Sequence, residues 1–395
     1  MKKEIQICTG CGSADVIRFG RVYWYDKAAQ AYKCKACGKR MSVRLDEVPK
    51  KRDISFKPAS FSGGVTPPTD WPAYNEAQVQ EKLLFLDILQ DLCSYVKDNE
   101  NGCIGRPKAS KGEMVFCMAA KCYEGLSSRR VSSDLTIAMQ RGHILSVPHF
   151  NTLLKYFNDP EMTPILTDLI SLSALPLKDL ETTFAIDASG LSSAFYSRWL
   201  DERLEHHRQH NWIKIHLVCG TVTNIVTAIE VTDGHSNDCP HFPKLAGKTA
   251  ENFRIKEIFA DKGYLSRKNI KAAFDLGAVP YIPFKSNSAP ISRGVLAWRR
   301  MFYYFKLNPE KFMQRYHLRS NVESTFSALK RKFSTKLMLK NEISQANEAL
   351  AMVLCYNISI LVKEAFESGI VNEFGKFAHL FESLHIKEEV EAECG

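Results

Sequence analysis

Two short apolar runs, each closing on an aspartate, do most to limit the fold of this chain. They are Thr182-Thr-Phe-Ala-Ile-Asp187 and Ile255-Lys-Glu-Ile-Phe-Ala-Asp261. Runs this short, apolar almost to the last residue, suit strands buried inside a sheet with helices over its faces. Between and after them, residues 212–218 and 225–231 read as an antiparallel hairpin turned at 220–224. Helices are predicted at 241–248 and 266–276, a last strand at 279–284, and a long apolar helix at 345–366 with Ser344 as its cap. Residues 286–312 lack a clear period and read as a small insertion. Strand, hairpin, helix, strand, helix, strand, helix is the order of an α/β fold with a mixed sheet flanked by helices.

The amino-terminal part is built differently. Cys8-Thr-Gly-Cys11-Gly and Cys34-Lys-Ala-Cys37-Gly are near-identical knuckles. Four thiolates on two tight turns form a closed tetrahedral set for one structural Zn²⁺, with Cys8, Cys11, Cys34 and Cys37 as ligands. Strands are expected at 16–19 and 22–25, which makes residues 1–45 a zinc ribbon. A redox pair is the competing reading, and two pairs at ribbon spacing disfavour it. Residues 46–75 hold five prolines and a Lys50-Lys51-Arg52 run, the composition of a linker. Residues 76–176 read as all helix. Ser110 and Ser127 are candidate caps, and Ser146-Val-Pro148 opens a helix over 148–157. That sequence of short helices resembles a helix-turn-helix, with His149, Asn151, Thr152 and Lys155 as candidate groove contacts. The competing reading is a helical subdomain that only packs on the body. Residues 177–366 form the α/β body, and 367–395 an acidic tail.

Charge says what such a chain meets. The net charge is +9, with 14 Lys/Arg against 6 Asp/Glu in residues 1–60 and 2 against 8 in residues 364–395. A basic front and body suit a polyanion, most simply double-stranded DNA. No run of 18 apolar residues suggests a membrane span, and no secretory leader is read at Met-Lys-Lys-Glu. Twelve cysteines without such a leader fit metal binding plus buried thiols. The expected location is the cytoplasm of a prokaryote, beside its nucleoid.

Helix 316–330 supplies a third acid. At 100° per residue, Tyr316, Arg319, Glu323 and Lys330 share a stripe about 60° wide. A carboxylate among two cations and a phenol suits a metal and a phosphate, although a solvated helix face would also read this way. Asp187, Asp261 and Glu323 together form a hard oxygen set for Mg²⁺. Taken singly, either aspartate could be a plain turn residue.

Tyr316-x2-Arg319-x3-Glu323-x6-Lys330 resembles the signature of DDE transposases from prokaryotic insertion sequences, in the branch with a Tyr-Arg-Glu-Lys helix. Ile186-Asp187-Ala-Ser-Gly190 and Ala260-Asp261-Lys-Gly-Tyr264 are similar to the surroundings of that family's two aspartates. The resemblance covers about residues 180–365. It implies a ribonuclease-H-like core and two Mg²⁺ per active site, with Mn²⁺ able to substitute. It also implies cleavage at transposon ends and joining of 3′ ends to target DNA by a homodimer or larger assembly. Asp187, Asp261 and Glu323 would be the catalytic metal ligands, and Tyr316, Arg319 and Lys330 the phosphate contacts. The zinc ribbon is not a usual part of the branch. Trp298, before Arg299-Arg300 in the insertion, is a candidate to stack on a displaced base.

Two other functions stay open at this level. One is a transposase-derived DNA-binding protein without catalysis, which the intact acid trio disfavours. The other is a metal-dependent nuclease on the same fold. Histidines 206, 207, 210, 216, 235 and 241 with Cys239 match no defensible metal motif. Lys214 and His216 alternate on one strand face, within reach of a DNA backbone.

Overall fold

The computed structural model describes residues 7–24, 27–45, 70–96, 109–193 and 212–370. The linker from 46 to 69, His206, His207, His210 and the tail beyond 370 lie outside the described residues. The chain divides into two compact units, residues 1–67 and 68–395.

The first unit is a three-stranded antiparallel sheet, β1 (Val16–Trp24), β2 (Lys27–Cys34) and β3 (Arg40–Leu45), in the order β1-β2-β3. The two strands expected at 16–19 and 22–25 are one strand. A register shift between Arg18 and Arg21 interrupts its pairing, which is why it reads as two.

In the second unit, α1 (Trp71–Ser94) starts inside the stretch expected to be linker. Asp70 caps it by accepting the Ala73 N–H at 3.2 Å. Pro72, a linker signal in sequence, falls in the first turn, where a helix tolerates it. α2 (Lys111–Glu124) is capped by Ser110 as expected and ends at Gly125, whose φ is 63°. Ser127 caps only a turn, accepting from the Arg130 N–H, and α3 (Ser132–Gln140) begins five residues later. α4 (Phe150–Phe157) and α5 (Met162–Ser173) complete the helical half.

The body is a five-stranded sheet in the order β6-β5-β4-β7-β8. Its strands are β4 (Thr183–Ser192), β5 (Trp212–Gly220), β6 (Val226–Asp233), β7 (Glu257–Ala260) and β8 (Val279–Tyr281). β4, β5 and β6 pair antiparallel, whereas β4, β7 and β8 pair parallel, so the sheet is mixed as expected. α6 (Phe242–Asn252) and α7 (Arg267–Asp275) are the connecting helices.

The supposed insertion is helical. It contains α8 (Leu296–Leu307) and leads into α9 (Pro309–Tyr316). Its period was hidden because apolar residues occupy both faces: Trp298, Met301 and Phe302 are buried, while Leu296 and Leu307 are exposed. A 3₁₀ turn, His317–Arg319, then joins α9 to α10 (Ser320–Phe333). The helix expected at 316–330 is therefore broken before Glu323.

α11 (Glu342–Glu367) closes the core against α1, α2, α4 and α5 as well as the sheet. Helices and sheet thus share one core. α11 is long and apolar enough to cross a membrane by composition, but most of it is buried in this packing. Its polar side chains are tied to the neighbours they meet. Asn357 bonds both the N–H and the C=O of Val226, and Glu348 takes a buried ion pair from Lys121 at 3.0 Å. Buried groups left without such partners would cost stability.

Candidate functional site

Sheet register brings the two aspartates together. β4 and β7 run parallel with Ile186 beside Ala260, so Asp187 and Asp261 are the next residues on adjacent strands. Asp261 does end its strand, and its Oδ1 accepts the Gly263 N–H at 2.6 Å to open a 3₁₀ turn. Asp187 does not. The Ala188-Ser-Gly190 stretch, turn-like in sequence, continues β4 and pairs with Lys214 to His216 of β5. Asp187 lies in mid-strand, at the point where pairing on the β7 side stops.

α10 packs across β4 and β5 and brings Glu323 to this place. Arg319 links the acids. Its Nη1 donates to Asp187 Oδ2 at 3.2 Å and its Nη2 donates to Glu323 Oε1. The same guanidinium lies 5.8 Å from the Tyr316 ring. Further along, Lys330 Nζ donates to Ser189 Oγ at 2.7 Å. Ser189 is two residues beyond Asp187 and shares its sheet face. The Tyr316–Lys330 stripe therefore survives the 3₁₀ turn and fronts the Asp187–Ser189 face.

The electrostatics follow from position. Asp187 is about four-fifths buried, at 20% side-chain exposure, while Glu323 is exposed. Burial pushes the Asp187 carboxyl up to about 6, and nearby Asp261 and Asp238 push the same way. The Ala188 N–H and the Arg319 guanidinium pull it back in part. Burial also raises the Tyr316 phenol, which stays a neutral hydroxyl, and lowers the Lys330 ammonium. Asp187, Asp261 and Glu323 do not stand as a ready-made metal-ligating group, and Arg319 spans two of the three. In this structure the guanidinium provides the positive charge between Asp187 and Glu323.

The cysteines of the first unit are the one ready-made group of metal-ligating side chains among the described residues. Cys8 Sγ lies 3.6 Å from Cys37 Sγ, and Cys11 Sγ lies 3.6 Å from Cys34 Sγ. A tetrahedron with metal–sulfur bonds of about 2.3 Å has edges of about 3.8 Å, so the set fits Zn²⁺. Gly12 and Gly38, with φ of 72° and 73°, turn the knuckles back. Their N–H groups donate to Cys8 O and Cys34 O. N–H groups of Gly10 and Cys11 pull the Cys8 thiol down to about 6, whereas Cys11, despite the Ser13 N–H, is pushed up to about 12 by the neighbouring sulfurs of Cys37 and Cys34.

The weaker candidates divide. Asn151 and Lys155 are exposed on α4. His149 is exposed too, but its Nδ1 caps α4 by accepting the Asn151 N–H at 3.3 Å. Trp298 is not available for stacking on DNA. It is 5% exposed, its ring meets Phe284 edge-on, and its Nε1–H donates to Ala289 O at 2.9 Å. Large aromatics at the base of a helix are core formers first. His216 is fully buried, and Lys214 is held by Asp238 and Ser236 O, so neither lies open to a DNA backbone. Sequence reasoning missed Ser189. The two-residue spacing of Ser189 from Asp187 was the available signal.

The body of the chain is a transposase DDE domain: residues 178–358 match the family described as Transposase DDE domain. A relative from Archaeoglobus fulgidus, described as a probable transposase for insertion sequence element ISA1214, is 24% identical over 299 residues. The match covers 74% of this chain and 87% of the relative. The family match and this relative both support a DDE transposase of the insertion-sequence kind. Among solved structures, the piggyBac transposase synaptic complex with hairpin DNA overlaps 76% of this chain and 78% of its own, at 11% identity and a TM-score of 0.36. That overlap is too loose to carry an assignment.

Proposed function

We propose that this chain binds the ends of its element as double-stranded DNA, cleaves phosphodiester bonds there, and joins the 3′ ends to target DNA. The carrying observation is the placement of Asp187 beside Asp261 with Glu323 linked to Asp187 through Arg319. We read the β6-β5-β4-β7-β8 sheet as ribonuclease-H-like. Asp187, Asp261 and Glu323 would hold two Mg²⁺, or Mn²⁺ in their place. Bound ions of this kind activate an attacking hydroxyl and stabilise a leaving oxygen.

The chain's own groups do the positioning. The Arg319 fork suits a phosphate as well as it suits the two carboxylates it now spans. A DNA phosphate arriving at the site would compete for it. Lys330 offers a point charge further along the same face, and the Tyr316 hydroxyl, beside the Arg319 guanidinium, would orient a phosphate oxygen. The cysteine set would hold one structural Zn²⁺ and keep the basic first unit folded as a second DNA-contacting module. Asn151 and Lys155 on α4 face outward, where a groove contact is possible. Two ends must be held at once, so we expect at least a dimer on DNA.

The test is incubation of the full-length chain with its own flanking DNA, a target plasmid and Mg²⁺. Nicked and joined products are expected. Cleavage without joining would reduce the protein to a nuclease on this fold, and binding without cleavage would remove the catalytic role.

A further inference from the structure

Two ties join β4 to the helix that carries Glu323, and they differ in charge. At Asp187 the tie is the Arg319 guanidinium, which donates to two carboxylates, Asp187 and Glu323. At Ser189 the tie is Lys330, whose Nζ donates to the Ser189 hydroxyl at 2.7 Å. The charge of Arg319 is balanced by its partners. The partner of Lys330 in this contact is neutral, so its ammonium charge is left for an anion. Lys330 and Ser189 are both half-buried. Burial disfavours the charged form of Lys330, and an anion beside it would restore that form.

The chain holds both ends of the Ser189–Lys330 tie. Past Asp187, β4 continues to Ser192 on the β5 ladder, and Ser189 pairs with Ile215. α10 ends at Ser334, a non-glycine residue at φ 88°. The chain then turns back onto β4: the Ser192 N–H donates to Thr335 O at 3.0 Å, and the Leu337 N–H donates to Ser192 O at 2.9 Å. The strand carrying Ser189 and the helix carrying Lys330 are thus clasped just beyond the tie. A non-glycine residue at positive φ persists where the surrounding structure over-determines it.

We propose that Ser189 and Lys330 together seat the DNA phosphate next to the one that lies at the acids. The chemistry is that of a donor set. A lysine ammonium has three protons and no acceptor, and one of its protons goes to Ser189. The Ser189 hydroxyl accepts that bond and keeps its own proton to give to a phosphate oxygen. The spacing agrees. Ser189 is two residues beyond Asp187 on the same sheet face, an advance of about 6.6 Å along the strand. That is close to the step from one phosphate to the next along a DNA strand. The long Lys330 side chain leans toward the amino end of its helix, which is the Glu323 end. Which phosphate lies at the acids rests on the cleavage proposed above; the seat itself is a binding site and is read by binding.

The test uses the full-length chain and duplexes of its element's end in which a methylphosphonate, neutral at pH 7, replaces one phosphate at a time. Dissociation constants without added metal and cleavage rates with Mg²⁺ are measured on each duplex. For wild type, a neutral linkage immediately beside the scissile phosphate, on one side of it, should weaken binding and slow cleavage about tenfold. Ser189→Ala should lose about as much on unmodified DNA and lose no more than about twofold further when that linkage is neutral. Ser189→Thr, which keeps the hydroxyl, should stay within about twofold of wild type. A merely structural serine would give the same fold loss on charged and neutral linkages, and that result overturns the proposal. So does coupling to a phosphate that is not adjacent to the scissile one, or no coupling at any position. If Ser189→Ala misfolds, Lys330→Gln is run on the same duplexes with the same expectation. Should wild type bind these duplexes and cleave none, the cleavage reading falls, and coupling of Ser189 to one phosphate in the dissociation constants still decides the seat.

Discussion

The cysteine cluster and the acid site both gather negative charge, but the chain holds them in different ways. Two knuckles with glycines at positive φ fix the four sulfurs in place. The acids come from two strands and a helix, and Arg319 keeps Asp187 and Glu323 company. Local turns assemble the first site, and tertiary packing assembles the second. The lesson is about dependence. On the proposed reading the cysteine unit would need a metal to fold, whereas the acid site is folded around Arg319 and would exchange that guanidinium for a metal.

The largest effect is expected when metal is removed from the first unit. A sheet with so little core draws most of its stability from the ion, on the order of 10 kcal/mol. Chelation, or Cys8→Ser with Cys37→Ser, should unfold residues 1–45. Loss of β-sheet circular dichroism would report it, while the melting transition of residues 68–395 stays put. Metal analysis should find about one zinc per chain; none, with all four thiols reactive, would end the ribbon assignment.

A smaller effect sharpens the other side. Arg319→Ala leaves Asp187 and Glu323 without their guanidinium. The DNA-free chain should then bind Mn²⁺ about tenfold more tightly, by titration followed with electron paramagnetic resonance. Its cleavage rate should fall about 100-fold, because the fork that meets phosphate is gone. Unchanged Mn²⁺ affinity would mean that the guanidinium does not compete for the site.

Acidity acts on the same carboxylates. Asp187 has a folded-state pKa near 6, above the ordinary carboxylate value of 3.8. Its ionisation is disfavoured by folding, so this group costs the metal-free protein stability as pH rises from about 4 to 6. Metal needs the ionised form, so Mn²⁺ affinity should weaken as pH falls through about 6 and hold steady above 7. The smallest effect concerns Trp298. Trp298→Phe loses its bond to Ala289 O and the Arg267 guanidinium stacked 4.5 Å from its ring. A loss of about 1 kcal/mol of stability is expected, with DNA affinity unchanged.

Much of this was legible in the sequence because short-range rules govern it. Cys-x-x-Cys-Gly declares its turn, the Ser110 cap declares α2, and three apolar residues directly before an aspartate declare a buried strand. Where the sequence misled, a tertiary choice had overridden a local signal. Ala188-Ser-Gly190 reads as a turn but is strand, since β5 offers it a full ladder. Pro72 reads as linker but lies in a helix capped by Asp70. α8 hid behind apolar residues on its outer face. In the acid site, the spacing of the helix motif was readable, whereas the Arg319 bridge and the role of Ser189 needed the packing of α10 on β4.

The central claim is that Asp187, Asp261 and Glu323 act as one metal-dependent site on DNA. Its most direct test is Glu323→Gln, which keeps the shape of the side chain and removes its charge. Strand cleavage at the element's end should be measured with Mg²⁺, alongside binding to the same DNA. Binding within about twofold of wild type is expected, with cleavage reduced by at least about 1000-fold. Cleavage by Glu323→Gln at the wild-type rate would take Glu323 out of the site and contradict the account.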